Sequence, residues 1–595
     1  MPPHWAGQMY DKFPYIPVSE TEACSCGWEA IGHLLREFLG EARRVLCVEC
    51  YPGVFVEEVS RHLMATIQPS LVISTEDILL SPDELDRSVA SVLTDDPVFG
   101  VMNEMEVEDF FDPQKLRHAK AKQEKSQGGI VLIIGVGATL VAPPDHVLVY
   151  ADLARWEIQQ RQRRGEIGNL GADNKNESAL QKYKRAFFLD WRAADRLKRR
   201  ILPNINFVLD TNSITEPKMI SGTDMRKGLH LATGRPFRVV PFFDPGPWGG
   251  HWMEKAFDLP ADAPNHAWCF DCVPEENSLL LGFGNKRVEI PSIDLVFAQP
   301  RELLGDFVYE NFGAEFPIRF DLLDTVAGGN LSLQVHPLTS YARTRFGLAY
   351  TQDESYYLLD AENGACVYLG LKEGIDPQTM LRDLNTAQNT GSNFDADRFV
   401  NKWPAKKHDH FLIPAGTVHC SATGSMVLEI SATPYIFTFK LWDWGRMGLD
   451  GRPRPIHLEH GSENIQWDRT TAWVKESLIN RVEAVAKGEG WREERTGLHE
   501  LEFIETRRHW FTGVAPHTTN GTVNVLNLVE GEEAVVESPD GAFQPFIVHY
   551  AETFIVPAQV GRYTIRPHGN AQGKECVTVK AFVRQERSKP IAENQ

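Results

Sequence analysis

Short apolar runs alternate with charged segments of helical periodicity between residues 43 and 210. This alternation is typical of a doubly wound α/β sheet, in which each buried strand is followed by an amphipathic helix. We therefore predict an N-terminal α/β unit over residues 1–220. The predicted strands are Val45–Val48, Leu71–Ile73, Ile130–Ile134, Val147–Val149 and Phe207–Leu209.

From Pro236 onward the pattern changes to short β-rich runs, separated by turns that contain many Gly, Pro and Trp residues. Such a pattern predicts antiparallel barrels or sandwiches. We place one over residues 236–470 and a smaller one over residues 498–595. The charged segment between them, residues 471–497, predicts a connecting helix because its apolar residues recur at helical spacing. These residues are Trp473, Val474, Leu478, Ile479, Val482 and Val485.

Composition and charge restrict the classes of function. The chain has 595 residues, too many for one hydrophobic core, and carries 61 Lys plus Arg against 81 Asp plus Glu, a net charge of −20. This charge repels nucleic-acid backbones and anionic membrane surfaces, so we expect neither as a partner.

The acidic, proline-containing N-terminus lacks the pattern of a secretory signal, and nine cysteines form no disulfide framework. Together these features predict a cytoplasmic protein.

Two CxxC pairs, Cys47 with Cys50 and Cys269 with Cys272, offer four thiolates that could bind one structural zinc ion if the fold brings them together. The first pair lies in an apolar stretch, where buried and unreactive cysteines are common. We therefore favour the interpretation that these thiols are buried and bind no metal.

A strand, a tight turn and a helix follow one another around residues 47–58, the setting in which a glycine-rich loop binds phosphate. Here the segment has one glycine, Gly53, no lysine, serine or threonine, and three glutamates. Carboxylates close to a triphosphate are unfavourable by Coulomb's law, and Pro52 has no N–H to donate. We predict that this loop does not bind ATP.

The layout around this loop nevertheless resembles the uridine-kinase-like branch of the P-loop fold. The resemblance is carried by residues 73–77 at a strand end, Gly135 to Gly137, Tyr150 to Trp156, and the basic helix around Arg161 to Arg164. It implies a degenerate, kinase-like P-loop domain with a structural or regulatory role.

Four polar residues in the predicted barrel form a candidate metal site. Gln334 and His336 are two residues apart, so in a strand their side chains lie on one face. Glu354 lies on a second predicted strand, and a Pro-Ala-Gly turn precedes His419 at the end of a third segment. One amide oxygen, one carboxylate and two imidazoles suit Zn2+ or another divalent first-row ion such as Mn2+, with a position left open for substrate.

The motifs Gln-Val-His-Pro at 334–337 and Pro-Ala-Gly-Thr-Val-His at 414–419 resemble those of the class I mannose-6-phosphate isomerases. The similarity runs from near Pro245 into the C-terminal barrel and implies two β jelly-roll (cupin) barrels after the α/β domain. It also implies that Gln334, His336, Glu354 and His419 bind the metal. Further matching segments are Phe316–Pro317, Tyr356–Asp360, Leu428–Glu429, Trp442–Arg446, Pro455–Glu459, Leu528–Glu532 and Phe554–Ala558.

The resemblance implies an intramolecular oxidoreductase that converts an aldose phosphate, such as mannose 6-phosphate, into its ketose by enediol proton transfer. In that reaction the metal acts as a Lewis acid, and a base moves the proton between C2 and C1. Glu429 is the first candidate for the base, although an outward-facing strand position is an alternative for it; His251 and Asp443 are weaker candidates. The resemblance also implies catalytic roles for Lys440 and Arg446.

Three cationic positions of the family's pocket are changed in this chain, to Asp321, Gln352 and Lys440. The changes remove much of the field that would hold a phosphate dianion, and lysine cannot reproduce the bidentate fork of arginine. The expected substrate is therefore a small sugar or sugar phosphate. Cations of the N-terminal region could compensate, and the candidates are Arg226, Lys227 and Arg235.

Two other classes of function remain open. One is a non-catalytic, metal-bound sugar-sensing or scaffold protein, in which the kinase-like unit and the barrels form a regulatory body. The other is a cupin dioxygenase or another iron enzyme, which uses the same types of ligand. The isomerase-like sequence around the ligands favours the isomerase over both.

Overall fold

A computed structural model describes residues 9–21, 23–40, 44–433, 435 and 437–585. Among these residues, none of the helices combines the length and the hydropathy that a membrane crossing requires. The α-helices are Trp28–Leu39, Val56–Ile67, Pro82–Leu93, Pro113–Lys125, Arg155–Arg163, Ala179–Arg185, Trp191–Ile201, Gly222–Thr233, Trp252–Ala256, Ile293–Ala298, Pro300–Leu304, Asp306–Phe312, Thr339–Phe346, Pro377–Thr390, Ala396–Phe399, Leu458–Asn464 and Thr471–Ser477.

The N-terminal region is built on a seven-stranded sheet. Its strands, from one edge to the other, are Leu71–Ser74, Ile130–Gly135, Arg44–Cys50, Val147–Asp152, Phe207–Asp210, Lys218–Ser221 and Ser25–Cys26. The first five are parallel and contain the five predicted runs, which confirms those strand predictions. Runs rich in Val, Ile and Leu are expected in parallel strands because such sheets are covered on both faces.

Two antiparallel sheets follow and hold the candidate metal residues. The six-stranded sheet is His410–Ile413, Asp353–Ala361, Ser425–Ala432, Arg319–Asp324, Trp268–Cys272 and Phe242–Asp244. The five-stranded sheet is Val400–Pro404, Cys366–Leu371, His419–Ser421, Leu333–Val335 and Phe439–Trp442. Glu354 lies on the first sheet, whereas Gln334 and His419 are direct cross-strand partners on the second. The two sheets therefore face each other at the candidate metal site.

The C-terminal region also contains two antiparallel sheets. One is Glu483–Gly488, Trp491–Gly497, Ile504–Phe511, Cys576–Val583, Asn524–Glu530 and Thr553–Val556, and the other is Ala515–Thr518, Arg562–Pro567, Glu533–Glu537 and Phe546–His549. Apolar residues of both sheets, among them Phe511, Leu526 and Ile565, form a separate buried cluster. This arrangement agrees with a smaller second β body.

The connecting helix predicted over residues 471–497 is wrong beyond Ser477. The helix Thr471–Ser477 is followed by the hairpin of Glu483–Gly488 and Trp491–Gly497. Val482 and Val485, expected on a buried helix face, are each 42% exposed. Glycines weaken a helix by about 1 kcal/mol each, and Gly490, with a φ of 72°, instead supplies the left-handed residue of the turn.

Contacts between distant segments join the N-terminal region to the rest of the chain. The strand Tyr15–Ser19 pairs in parallel with Ser278–Phe283, which also pairs with Lys286–Pro291. Arg238 is buried and forms ion pairs with Glu552 at 2.7 Å and Asp271 at 3.4 Å. The strand pairing joins the N-terminal segment to residues 278–291, and the ion pairs of Arg238 join the six-stranded sheet to the C-terminal region.

Candidate metal centre and adjoining cavity

His336, Glu354 and His419 converge between the two antiparallel sheets, and all three are fully buried. Their ligand atoms lie within 4.8 Å of one another. Glu354 Oε2 is 3.1 Å from His336 Nε2, and Glu354 Oε1 is 2.8 Å from His419 Nε2. The amide Nε2 of Gln334 is 3.2 Å from His419 Nε2. The structure thus brings together the four residues predicted to bind metal.

The second ring nitrogen of each histidine fixes the orientation of its ring. His336 Nδ1 donates to the carbonyl of Phe437, and His419 Nδ1 donates to the carbonyl of Thr417, each at 2.8 Å. A neutral imidazole that donates from Nδ1 has a lone pair at Nε2. Two such lone pairs facing one carboxylate repel it unless a cation lies among them, and His336 Nε2 has no hydrogen-bond partner. The donor set therefore fits a divalent cation.

The charge of Glu354 is set by burial and by its neighbours. Burial opposes ionisation, but positive charge beside the carboxylate, carried by His336 and His419 when their rings are protonated, outweighs it and holds the pKa of Glu354 well below its usual range. Gln352 donates from its amide Nε2 to Glu354 Oε2 at 3.0 Å. The glutamine that replaces a lysine of the resembled family therefore orients the candidate ligand carboxylate.

A cavity of about 410 Å³ adjoins the candidate metal residues. Gln334 and Gln352 line this cavity and also contact the metal cluster, so they lie at the boundary between the two. Its volume falls within the range of about 300–1,000 Å³ that is usual for small-molecule sites. Trp248, Trp268 and Phe270 supply apolar wall, and charged side chains are interspersed among them. We call this space the metal-adjacent cavity.

Glu429 lines the metal-adjacent cavity and is only 9% exposed, which excludes the outward-facing alternative. On its strand it lies opposite Asp321 on one side and Tyr356 on the other. Burial, together with the charges of Glu354 and Asp321, raises the pKa of Glu429 well above its usual value. Burial also raises the pKa of Asp321 to about 7. A carboxylate with a raised pKa is a stronger base than a free one, which suits it to move protons.

Lys440 lines the metal-adjacent cavity beside Gln334, and burial together with the charge of Arg454 lowers its pKa to about 8. Arg446, predicted as a second catalytic cation, does not line the cavity. It donates from Nε and Nη2 to Asp443 Oδ1 at 3.0 and 2.7 Å. Arg454 donates to Asp443 Oδ2 at 2.8 Å and does line the cavity. The structure therefore places Arg454 where Arg446 was expected.

Arg319 is a cavity cation that sequence reasoning missed. It lies two residues before Asp321 on the same face of a strand, and it is 2% exposed. Its Nη2 is 3.9 Å from Asp321 Oδ2, and neither Nε nor Nη2 has a hydrogen-bond partner. The period-two alternation of strand side chains, counted back from Asp321, was the available signal.

The N-terminal region forms one wall of the metal-adjacent cavity. The helices Arg155–Arg163 and Ala179–Arg185 contribute Trp156, Gln159, Gln162, Arg163, Ala179, Leu180 and Tyr183. Tyr183 Oη donates to Glu276 Oε1 at 2.8 Å, and Gln159 donates to Glu276 Oε2 at 3.3 Å. These bonds hold the wall against the antiparallel sheets.

The cations predicted to reach the cavity from the N-terminal region, Arg226, Lys227 and Arg235, do not line it. Arg163 lies there instead and forms a bidentate pair with Asp244 at 2.7 and 2.8 Å. Sequence spacing gave no signal for this contact because the two residues belong to different regions of the chain.

The turn at Gly53 opens onto a different cavity, of about 420 Å³. The charged residues lining it are Glu57, Glu58, Glu76, Glu166 and Lys175. Arg161 donates to the carbonyls of Gly53 at 2.9 Å and Thr211 at 2.7 Å, so its guanidinium group is already engaged. Four carboxylates against one ammonium group oppose the binding of a triphosphate. The P-loop assignment of this region stays a prediction.

We expect a calorimetric titration of the full chain with Mg-ATP to show no binding, because the acidic lining repels the nucleotide phosphates. A thermal-shift scan of the same sample, with and without nucleotide, controls for binding that releases no heat. A dissociation constant in the micromolar range would contradict this expectation.

The CxxC pairs agree with the interpretation of buried thiols. Cys47, Cys50, Cys269 and Cys272 are free and buried, and within the described ranges no three cysteines lie close enough to share an ion. Burial raises the pKa of all four thiols well above the usual value. Such thiols stay protonated and make poor metal ligands.

Comparison with known proteins distinguishes two parts of the chain. Residues 27–234 match the family model described as "Domain of unknown function (DUF8485)". The chain is 29% identical to the mannose-6-phosphate isomerase of Streptococcus mutans serotype c over 233 residues, which is 38% of this chain and 68% of that protein. It is 25% identical to the mannose-6-phosphate isomerase ManA of Bacillus subtilis over 240 residues, 39% of this chain and 69% of the relative.

A crystal structure of the mannose 6-phosphate isomerase from Bacillus subtilis covers 59% of this chain and 100% of its own, with 18% identity and a TM-score of 0.48. By sequence, the chain is similar to two curated mannose-6-phosphate isomerases.

Proposed function

We propose that this protein is a metal-dependent aldose–ketose isomerase that acts on mannose 6-phosphate or a related sugar. The observation that carries the proposal is the convergence of Gln334, His336, Glu354 and His419 at the end of a cavity that also holds Glu429. The mannose-6-phosphate isomerases among the relatives support the same reaction class.

In the proposed reaction Glu429 takes the proton from C2 of the open-chain aldose. The electrons of the C2–H bond form the C1–C2 double bond of an enediol, and the carbonyl oxygen on C1 gains a proton. Return of the proton to C1, with loss of the hydroxyl proton on C2, gives the ketose. C1 is reduced as C2 is oxidised, so no other oxidant or reductant is required. A divalent ion held by the four ligands would supply Lewis-acid polarisation of the substrate oxygens.

Cations of the cavity support a phosphorylated substrate. Arg319 has guanidinium N–H groups without partners, and Arg454 and Lys440 lie in the same cavity. With a pKa of about 8, Lys440 is mostly protonated at neutral pH. We propose that these three side chains bind the phosphate and offset the cations lost at positions 321 and 352, because guanidinium and ammonium groups form charge-assisted hydrogen bonds with phosphate oxygens.

An assay of aldose–ketose interconversion over phosphorylated and free sugars, with and without added Zn2+ or Mn2+, tests the proposal. We expect turnover of a phosphorylated aldose that is abolished by a chelator and restored by metal. Absence of turnover on every sugar, in protein that holds stoichiometric metal, would favour the sugar-sensing or scaffold alternative.

The N-terminal wall is expected to contribute to substrate binding. Gln162 is 3% exposed, lines the metal-adjacent cavity, and has no hydrogen-bond partner for its Oε1. We expect Gln162→Ala to raise the KM for the sugar substrate about three- to tenfold, with kcat little changed. This is the effect expected from the loss of one neutral hydrogen bond to the substrate. Steady-state kinetics on metal-replete protein measure this.

Gln160→Ala is the matched control, since Gln160 is on the same helix and does not line the cavity. Equal KM values for wild type and both variants would show that the wall does not contact the substrate.

A further inference from the structure

A third cavity, of about 250 Å³, lies between the N-terminal region and residues 275–315, and it shares no lining residue with the metal-adjacent cavity. The helix Trp191–Ile201 lines it with Arg192, Arg196 and Arg199. Their spacings of four and three residues place the three side chains on one face of the helix. Arg155 adds a fourth guanidinium group. We call this space the arginine cavity.

The positive charge of the arginine cavity is only partly paired. Asp195 accepts hydrogen bonds from Arg155 and, at 2.8 Å, from Tyr51. Arg192 lies 3.6 Å from Asp195, and its Nε and Nη2 have no hydrogen-bond partner. Arg199 lies over the ring of Phe297 at 5.7 Å and forms no ion pair with any described residue. Like charges on one helix face repel each other, so an anion bound among these arginines would reduce their mutual repulsion.

The other carboxyl groups of the arginine cavity are Glu275 and Glu315. Burial raises the pKa of Glu275 to about 7 and also raises that of Glu315. Both carboxylate oxygens of Glu275 are buried without a hydrogen-bond partner. Four arginines line the cavity against three carboxyl groups, those of Asp195, Glu275 and Glu315, so its lining has a net positive charge even when all three acids are ionised.

We propose that the arginine cavity binds a small phosphate dianion, either free phosphate or the phosphate of a small monoester. The planar forks of several guanidinium groups match phosphate oxygens better than isolated point charges do. The cavity is lined by Arg192 and Arg199 from the N-terminal region and by Glu275 and Phe297 from the following segments. A bound phosphate would therefore stabilise the contact between the two parts of the chain. This proposal does not depend on the isomerase activity.

Calorimetric titration of the full chain with inorganic phosphate, and separately with glycerol 3-phosphate, at low ionic strength tests the proposal. We expect wild-type protein to bind at least one of the two, and Arg199→Gln to weaken that binding about tenfold or more. Arg192→Gln is the second variant and is expected to have the same effect. Tighter binding of one ligand tells whether the site takes the free ion or the ester.

Arg200→Gln is the matched control, because Arg200 is the next residue, is exposed as Arg199 is, pairs with Glu106 at 2.9 Å and does not line the arginine cavity. It should bind phosphate as wild type does. Arg454→Gln, in the metal-adjacent cavity, separates the two sites: it should weaken only phosphate binding in that cavity and leave unchanged the binding event that depends on Arg199. Loss of binding in Arg454→Gln with retention in Arg199→Gln would overturn the proposal, as would the absence of binding by folded wild-type protein.

Discussion

Alanine at His336 or at His419 is expected to lower the metal content of the purified protein at least tenfold. Each histidine is completely buried, presents Nε2 to Glu354, and is fixed by a bond from Nδ1 to a backbone carbonyl. Removal of either ring takes away one of the four candidate donors. Changes even in the residues that support a metal ligand typically cost about 10–100-fold in affinity, so the loss of a ligand itself should cost at least as much.

Elemental analysis after dialysis against limiting Zn2+ measures this effect directly and does not depend on activity. His230→Ala is the control for the loss of an imidazole, since His230 is an exposed residue of the helix Gly222–Thr233. Glu354→Gln keeps the shape of the ligand and removes its charge, so it should also lose metal. Undiminished metal in both histidine variants would remove this site from the proposed function.

Glu429→Gln is expected to lower kcat by about 10²- to 10⁴-fold, the usual contribution of a positioned general base, while metal content stays at the wild-type level. The amide has nearly the same shape as the carboxylate but cannot accept the C2 proton. Glu429 faces the metal-adjacent cavity without being one of the four candidate ligands, so its effect on rate should be separable from metal binding. Steady-state kinetics on metal-replete protein measure kcat. Exchange of the C2 proton in deuterated water measures proton abstraction separately.

Glu489→Gln, in the exposed turn of the Glu483–Gly497 hairpin, controls for the loss of a carboxylate. Asp321→Asn is the informative second variant, because Asp321 lies directly opposite Glu429 and its pKa is also raised. A kcat of Glu429→Gln within about threefold of wild type, together with a large loss in Asp321→Asn, would assign the base to Asp321.

The strands of the N-terminal sheet could be predicted because parallel strands buried on both faces are continuous apolar runs. The hairpin at Glu483–Gly497 could not be predicted, because the spacing of Val482 and Val485 fits a helix as well as it fits an exposed edge strand. Tertiary pairing with Ile504–Phe511 and the glycines of the turn decide its conformation. Helical periodicity without burial is therefore a weak indication of a helix in this chain.

The four candidate ligands could be predicted because they occur in two short motifs and a neighbouring strand. The N-terminal wall of the metal-adjacent cavity could not be predicted. Gln162 and Arg163 come close to the residues around Glu429 only because the N-terminal region packs against the antiparallel sheets. The exchange of Arg446 for Arg454 has a different cause: both arginines bind Asp443, and only the path of the chain after the strand Phe439–Trp442 decides which one reaches the cavity.

The parallel pairing of Tyr15–Ser19 with Ser278–Phe283 has a consequence for biosynthesis. Tyr15 finds its partner Leu280 only after the ribosome has added the intervening residues, which at about 5–20 residues per second takes from about ten seconds to a minute. The parallel strands between them can assemble during that interval, because all their partners have already been translated. The strand Tyr15–Ser19 thus leaves the exit tunnel well before the strand with which it pairs, and it reaches its final position only after that strand has been made.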